Sequence, residues 1–506
     1  MSGRYICFGR VVTWLDNEKY PPLRASSSAP NRAGASKREG QYQSTVPSMP
    51  TRATVLRSPT MPCSSIGRYP AGGAPCMRFT RRVIPHSPND PFLYYIHVSV
   101  DALSRFSGHA GRMGVRSVGV EEELLLVEPG TGRPRAVAAA VLEADSEASD
   151  SGGGDSGGGD SGGGRAQAGR TGAADAGADD PEQELDFELQ LQQVETSTRP
   201  CSTLGELEGE LRRSRAAAVE AAGRVGVQVA ALATSPIPVE PETAGKPRYE
   251  RMAEAFGLTA HEQLTCGCHV HVQVGSEEEG VAVLDRIQPW LAALLALSAN
   301  SPFWQGQDSS YASFRYQAWG RWPCSGPTEW FGSAQAYQAT VDQMVQTGTL
   351  LDSGMVYFDA RLSQRYPTLE VRIADVCLRH EDAVLIGALV RALVETEARA
   401  WQEGAVPLRM RTELLQLAAW RASRSGLDGP LVDPFSGRPA PAPEVIGLLL
   451  EHVREALADA GDLGTVTGMV ADVRRRGNGA AFQRDAFRRS GLLRDVVTNA
   501  AAAITG

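Results

Sequence analysis

The sequence predicts an α+β fold in which a β-sheet carries the chemistry and helices cover it. Three separated stretches alternate polar and apolar side chains with the two-residue period of a strand. Each stretch has charged or polar side chains on one face and aliphatic side chains on the other. From residue 381 to about residue 491 the chain is instead rich in Ala, Leu and Arg, which is typical of helices.

An ordered domain at residues 113–506 is predicted to follow a basic leader. Residues 1–112 are rich in Arg, Ser and Pro and carry 15 Lys and Arg against 5 Asp and Glu, although the whole chain has a net charge of -9. This composition predicts a disordered leader. It also matches a transit peptide, and a start site misplaced upstream of Met113 is the alternative interpretation.

The first polar-faced strand begins with three consecutive glutamates, Glu121, Glu122 and Glu123, which four aliphatic residues follow. Glu121 and Glu123 share one face of a strand, and Glu122 points to the other. Two unpaired carboxylates entering a core are costly. A cation beside them is one interpretation, and a strand end open to water is the other. Glu122 is expected to serve structure, so its substitution should do little to catalysis.

A flexible insertion is predicted at about residues 146–184. This segment repeats Gly, Ser and Asp, which is the composition of a linker. It follows a short helix expected at residues 136–144. A calcium-binding repeat is disfavoured because the segment lacks the apolar position of such repeats.

A strand is expected at residues 185–195, where apolar and polar residues alternate. On one straight strand, Glu188 and Glu195 would fall on opposite faces. Either a bulge lies between them or Glu195 lies beyond the strand end. A capping box that starts at Thr203 then predicts a helix, and a buried strand at residues 227–233 follows.

The second polar-faced strand has His269, His271 and Gln273 on one face and valines on the other. A helix is expected next, at residues 281–299. The long segment at residues 300–327 is dense in aromatic and polar side chains, which favours a functional loop over a disordered one.

The third polar-faced strand has Glu370 and Arg372 on the same face. Taken alone, this pair is compatible with a structural ion pair, and the two histidines with core or surface positions. Together the three strands form a charged face lined by Glu, His, Gln and Arg. Carboxylates dominate it, which suits a hard cation such as Mg²⁺ or Mn²⁺. Arginine forks match phosphate and carboxylate groups.

Composition argues against several classes of function. The acidic net charge disfavours binding to nucleic acid or to an anionic membrane. The longest apolar segment, at residues 287–299, is too short to span a bilayer. The eight cysteines are scattered, so neither a disulfide framework nor a zinc knuckle at Cys266 and Cys268 is predicted. A cytoplasmic protein that acts on small molecules is expected.

The charged stretches belong to a longer series of motifs in fixed order. The series is Gly119-Val-Glu-Glu-Glu-Leu, Glu188 with Val194-Glu195, Thr198 and Pro200-Cys201, His269-Val-His271-Val, Ser301-Pro302 with Gly306, Asp308, Tyr311-Ala-Ser and Arg315, Asp359-Ala-Arg361, and Thr368-Leu-Glu370-Val-Arg372. This series resembles the glutamate–cysteine ligase type 2 family, the carboxylate–amine ligases. The resemblance extends from about residue 118 to the C-terminus and omits the Gly/Ser/Asp insertion.

The resemblance implies a fold similar to the catalytic part of glutamine synthetase. In that fold a curved, mainly antiparallel sheet holds metal and ATP on its concave face, with helices outside and a helical C-terminal region. It also implies that ATP phosphorylates the γ-carboxylate of L-glutamate and that the amine of L-cysteine then displaces phosphate. The implied cofactors are ATP and Mg²⁺ or Mn²⁺. Another amine acceptor and a homo-oligomeric state remain open.

Carried over by position, the resemblance implies roles for individual residues. Arg372 would contact phosphate, Arg315 and Arg361 would contact substrate carboxylates or phosphate, and His271 would contact nucleotide. The number of metal ions stays open because the insertion precedes Glu188. The implied metal ligands are Glu121, Glu123, Glu188, Glu195, His269 and Glu370.

Two other functions are compatible with the same residues. A metal-dependent hydrolase would use His269, His271 and Glu370, and it would prefer Zn²⁺ and need further nitrogen ligands. His261 and His380 are the candidates for those ligands. A non-catalytic family member would instead bind nucleotide or amino acid without turnover.

Overall fold

The computed structural model describes residues 3–8, 11–16, 114–152 and 185–505. Within the leader, two short strands pair antiparallel with each other. The rest of the leader and most of the Gly/Ser/Asp insertion lie outside the described residues, so the disorder predicted there stays a prediction. The domain boundary at residue 113 also stays a prediction.

In the described residues, the strands belong to one seven-stranded sheet and three two-stranded ribbons. In the large sheet every neighbouring pair is antiparallel, in the order β10-β11-β7-β3-β5-β4, and β6 pairs with the end of β3. The strands are β1 (Gly3–Phe8), β2 (Val11–Asp16), β3 (Val118–Val127), β4 (Leu185–Phe187), β5 (Gln193–Ser197), β6 (Gln228–Ala230), β7 (Gly267–Gln273), β8 (Phe303–Trp304), β9 (Gln307–Asp308), β10 (Ala360–Leu362), β11 (Thr368–Asp375), β12 (Pro430–Val432) and β13 (Pro439–Pro441).

Helices surround this sheet and make up most of the chain after β11, which confirms the predicted α+β class and helical C-terminal region. The predicted capping box is present at the start of α2, where Thr203 and Glu206 bond each other's backbone. The helices are α1 (Ala138–Gly152), α2 (Leu204–Arg224), α3 (Pro247–Phe256), α4 (Leu258–His261), α5 (Glu277–Ser298), α6 (Phe314–Trp319), α7 (Ala334–Gln346), α8 (His380–Gln402), α9 (Thr412–Ser425), α10 (Ala442–His452), α11 (Arg454–Asp459), α12 (Leu463–Arg476), α13 (Gly479–Ser490) and α14 (Leu493–Ala502), with a 3-10 turn at Ser353–Met355.

One face of the sheet forms the main hydrophobic core with α2, α5 and α8. The aliphatic side chains of the three polar-faced strands, such as Val120, Val270 and Val371, are fully or almost fully buried there. Close packing is visible at Gly387 in α8, where an added Cβ would lie 2.9 Å from Leu207 of α2. Because this face is filled by aliphatic side chains, the alternating polar side chains project to the opposite face.

Helix α5 is a core helix of this fold. Its length and apolar composition would suffice to cross a membrane, but 89% of its apolar window is buried inside the protein. Its N-cap is Ser276, whose side chain accepts a hydrogen bond from the backbone of Glu279, and its first turn is acidic, as the helix dipole favours.

Two predicted elements differ from the structure. The single strand expected at residues 185–195 is wrong, because β4 ends at Phe187 and β5 begins at Gln193. A turn closed by a 3.2 Å hydrogen bond from the Gln193 amide to the Gln190 carbonyl separates them. The segment at residues 300–327 is not all loop, since it contains β8, β9 and α6.

Candidate active site

The register of the antiparallel sheet places the predicted residues in adjacent rows. Glu121 of β3 lies opposite His269 of β7, and His271 of β7 lies opposite Glu370 of β11. In turn, Glu370 lies opposite Arg361 of β10. Residues that are far apart in sequence therefore meet on one face because strand pairing aligns them.

One group on this face has the composition of a cation site. Glu121, His269 and Glu370 each offer a ligand atom, and these atoms lie within 4.8 Å of one another. The Nε2 atom of His269 is buried without a hydrogen-bond partner, whereas that of His271 lies 3.2 Å from Glu121 Oε1. Buried polar atoms without partners are uncommon in folded proteins, so the arrangement fits a ligand that His269 would contact.

A second group of carboxylates lies beside the first. Glu123 of β3 is opposite Glu195 of β5, and its Oε2 accepts a 2.6 Å hydrogen bond from the Gly267 amide. Glu188 directly follows β4, which pairs with β5, so the short hairpin brings it to the same place. The hairpin thus resolves the opposite faces that a single straight strand would give Glu188 and Glu195.

The crowding of these acids changes their protonation. Burial raises the pKa of Glu123 to about 7, and the charge of Glu188 adds to this. Burial also raises the pKa of Glu195 well above its ordinary value, with Glu121 and Glu188 contributing. Carboxylates that repel each other in a site with little water need protons or a cation to offset their charge.

In the group of Glu121, His269 and Glu370, the surroundings favour an ionised Glu121 instead of a protonated one. Burial acts to raise the pKa of Glu121, but His271 and His269 outweigh it and hold that pKa well below its ordinary value. Burial, aided by Arg372, lowers the pKa of His269 to about 4. Near neutral pH, Glu121 is therefore an anion and His269 is neutral, and these are the forms that bind a metal ion.

Two arginines hold Glu370. Arg361 donates from Nε to Oε2 at 2.7 Å and from Nη2 to Oε1 at 3.2 Å, and Arg372 also donates to Oε1. Burial opposes ionisation, yet the two arginines hold the pKa of Glu370 far below its ordinary value. Arg361 donates further to the Gly354 and Val356 carbonyls, so its guanidinium positions Glu370. Its predicted contact with substrate stays a prediction.

Arg315 enters the same face from α6. It is 2% exposed, and it donates to the carbonyls of Ile373 at 3.4 Å and Arg372 at 3.3 Å. Space for it exists because residue 267 is glycine, since a Cβ there would overlap the guanidinium. The Nε atom of Arg315 is buried without a hydrogen-bond partner.

A buried network that the sequence did not point out positions Arg315. Asp375, at the end of β11, accepts hydrogen bonds from the Asn300 amide at 2.8 Å, Ser301 Oγ at 2.7 Å and Ser313 Oγ at 2.8 Å. Ser301 Oγ accepts in turn from the Arg315 amide at 3.0 Å. An aspartate at the end of an apolar strand was the available signal, but its partners are 62 to 75 residues away.

Comparison with known proteins decides the family. Residues 117–499 match the model of glutamate–cysteine ligase family 2. The chain belongs to this family. It is 51% identical over 385 residues to a protein of Streptomyces avermitilis provisionally named glutamate–cysteine ligase 2-1, covering 76% of this chain and 98% of that one. A similarly named Streptomyces coelicolor protein is 52% identical over 384 residues, covering 76% of this chain and 97% of that one.

Solved structures of other ligases share the fold. The glutamate–cysteine ligase of Francisella tularensis in complex with AMP superposes with a TM-score of 0.54 at 12% identity, covering 78% of this chain and 90% of that one. A bifunctional glutathione synthetase from Pasteurella multocida gives a TM-score of 0.51 at 15% identity, covering 77% of this chain and 52% of that one. At these identities the likeness shows the fold alone.

In this family 2 protein, a cavity of about 120 Å³ adjoins the carboxylates. Aromatic side chains from three separate segments line it, so the predicted aromatic segment supplies only part of the wall. Tyr249 and Tyr357 were not singled out from the sequence because neither belongs to one of the motifs. The lining of the cavity includes Glu123, Glu188, Arg248, Gln263, Trp322 and Tyr357.

Glu122 points away from this site, as predicted. Its side chain is fully buried and forms an ion pair with Arg215, whose Nε and Nη2 donate at 2.8 and 2.7 Å. The expectation that substituting Glu122 would do little to catalysis stays a prediction, but this ion pair indicates that the substitution would lower the stability of the fold. Removing one member of a buried ion pair leaves the other charge unpaired in a medium of low polarity.

The extra histidines that a zinc hydrolase would need do not join the site. His380 lies at the start of α8, where its Nε2 is 2.9 Å from Arg212 Nε, and His261 ends α4. In the described part of the chain, the candidate cation group contains one histidine and two carboxylates. This donor set suits a hard cation better than Zn²⁺.

Proposed function

We propose that the protein is an ATP-dependent carboxylate–amine ligase that joins the γ-carboxylate of L-glutamate to the amine of L-cysteine. The observation that carries this proposal is the convergence of the carboxylates, His269 and Arg372 on one sheet face of a family 2 chain. Such a face can bind cations and phosphate groups together.

The reaction has two balanced steps. A γ-carboxylate oxygen of glutamate attacks the terminal phosphorus of ATP, the bond from that phosphorus to the bridging oxygen breaks, and ADP leaves. The cysteine nitrogen then attacks the acyl carbon and loses a proton, and phosphate leaves with the bonding electron pair. Phosphoryl transfer of this kind depends on positioning and charge neutralisation rather than on a protein nucleophile.

The residues present fit Mg²⁺ or Mn²⁺. Glu121, His269 and Glu370 would hold one ion, and Glu123, Glu188 and Glu195 are the remaining proposed ligands. A bound ion of this type supplies charge neutralisation at phosphate oxygens. The donor set consists mostly of oxygens, and His269 supplies a nitrogen.

The arginines of the face have distinct proposed roles. Arg372 keeps an unpartnered, buried Nε while it contacts Glu370, so it is the proposed phosphate contact. Arg315, also with a free Nε, is the proposed contact to a substrate carboxylate or phosphate. His271, which hydrogen-bonds Thr368 Oγ1 at 3.0 Å, remains the proposed nucleotide contact.

The test is ADP release by the purified protein with ATP, Mg²⁺ and combinations of the two amino acids. We expect ADP release only when glutamate and cysteine are both present. Arg372→Ala should lower the rate of ADP release by about 10²- to 10³-fold, because removing one donor that stabilises charge in the transition state typically costs a factor of this size. Arg475→Ala on the surface of α12 is the control, and it should leave the rate unchanged. Absence of nucleotide turnover, with Zn²⁺-dependent hydrolysis instead, would contradict the proposal.

A further inference from the structure

We propose that the cavity beside the carboxylates binds the amine acceptor, and that it recognises the amine and side chain of the acceptor but not a carboxylate. This inference rests on the proposed function and narrows its substrate class. Primary amines with a short apolar or thiol-bearing body, such as cysteamine, are then acceptors at least as good as L-cysteine.

The wall of the cavity contains a set of aromatic rings in mutual contact. The ring centroids of Trp319 and Tyr357 lie 4.8 Å apart, those of Trp322 and Tyr357 lie 5.4 Å apart, and Phe256 packs on Trp322 at 5.0 Å. Met252 also lines the cavity. Aromatic rings and a thioether form favourable contacts with an apolar body or a sulfur atom, so the wall suits the side chain of such an amine.

The charges around the cavity favour a cation, and the proposed function leaves no cationic side chain free for the carboxylate of the acceptor. Glu123 and Glu188 line the cavity on the side of the sheet. Of the two cationic side chains that line it, Arg248 donates to both oxygens of Asp352, at 2.8 and 2.9 Å. Arg372 contacts Glu370, and its unpartnered Nε is the proposed phosphate contact. An ammonium group would therefore be stabilised, whereas a carboxylate would have to displace Asp352 from Arg248 or compete with phosphate for Arg372.

Two buried polar atoms of the lining residues also lack partners. Trp322 is 2% exposed and Gln263 is 4% exposed, yet Trp322 Nε1 and Gln263 Oε1 make no hydrogen bond. The other end of the Gln263 amide donates to Thr265 Oγ1 at 2.5 Å, which orients it. One free donor and one free acceptor match a group that both accepts and donates, such as a thiol or hydroxyl.

The first experiment compares two acceptors that differ only in the carboxylate. Initial rates of ADP release with ATP, Mg²⁺ and L-glutamate give kcat/KM for L-cysteine and for cysteamine, and mass spectrometry confirms the amide product. We expect the value for cysteamine to exceed that for L-cysteine or to fall within about threefold of it. A value for cysteamine below about one third of that for L-cysteine would overturn the proposal.

The second experiment gives the cavity a free cation. Asp352→Asn leaves the charge of Arg248 uncompensated, so it should shift the ratio of kcat/KM values toward L-cysteine by about fivefold or more. Glu262→Gln is the matched control, because Glu262 pairs with Arg321 at 2.6 Å at a similar exposure and neither residue lines the cavity. An unchanged ratio in a folded Asp352→Asn protein would overturn the proposal, and an equal shift in the control would do the same.

Calorimetry on the wild-type protein separates failure of this inference from failure of the proposed function. Absence of ADP release with every amine would contradict the ligase reaction itself. Titration of cysteamine and of L-cysteine into the protein with Mg²⁺, a non-hydrolysable ATP analogue and L-glutamate then still tests the cavity. Cysteamine that binds at least as tightly as L-cysteine supports the inference, and weaker or absent binding of cysteamine overturns it.

Discussion

Neighbouring glutamates on β3 have opposite environments because a strand alternates its faces. Glu121 and Glu123 face the candidate site, whereas Glu122 faces the core. The partner of Glu122, Arg215, also donates to the carbonyls of Cys377 at 2.7 Å and Leu378 at 3.1 Å. At the residue scale, therefore, one carboxylate of the triplet holds α2 against the sheet and the other two belong to the site.

Substitution of Glu122 should destabilise the fold. In Glu122→Gln the buried guanidinium of Arg215 loses its counter-charge, and we expect a loss of about 3–5 kcal/mol in the free energy of unfolding, measured by urea denaturation. Glu128→Gln, which removes an exposed pair with Arg135, should cost far less, because exposed ion pairs contribute little to stability. Equal losses in the two variants would contradict the structural role of Glu122.

Asp359 should make stability depend on pH. Burial raises the pKa of Asp359 to about 7, while a hydrogen bond from Tyr316 partly opposes this. A folded pKa above the unfolded one means that the folded state binds more protons, so the free energy of unfolding falls as pH rises from about 4 to about 7. Between pH 5 and pH 8 the wild type should lose about 2–3 kcal/mol more than Asp359→Asn. Parallel pH profiles from urea denaturation would contradict this.

At the scale of elements, two short segments complete the site. The hairpin of β4 and β5 brings Glu188 beside Glu195, and the start of α6 brings Arg315 over the end of β11. Neither segment is long, and each depends on partners elsewhere in the chain. The strong periodicity of β3, β7 and β11 made those strands predictable, whereas the hairpin shared its alternating pattern with a single strand.

Asp375 should control the position of α6. Asp375→Ala leaves the Asn300 amide and the hydroxyls of Ser301 and Ser313 without their acceptor, so we expect a loss of about 1–3 kcal/mol for each unsatisfied buried group that water does not reach, together with reduced ADP release. Asp375→Asn can still accept through its oxygen and donate to a hydroxyl, so it should restore most of both. Wild-type melting temperature and turnover in the alanine variant would contradict the role of Asp375.

At the scale of the whole molecule, the sheet separates stability from chemistry. Its aliphatic face packs on α2, α5 and α8, and its polar face presents the carboxylates and arginines. The family match begins at residue 117, and the described part of the candidate site lies entirely after it.

The leader should therefore be dispensable for catalysis. A protein that comprises residues 113–506 is expected to have the same melting temperature as the full chain. Its rate of ADP release should lie within about twofold of that of the full chain, because the proposed site residues all follow residue 113. Loss of activity in the shortened protein would show that residues 1–112 contribute to the working enzyme.

The sequence by itself determined the α+β class, the three polar-faced strands and the residues that share a face of each strand, because strand alternation is a local consequence of residue pattern. It could not reveal the pairing of Glu122 with Arg215, the acceptor role of Asp375 or the cavity at Tyr249 and Tyr357. These depend on contacts between segments distant in the chain, which only strand register and helix packing decide.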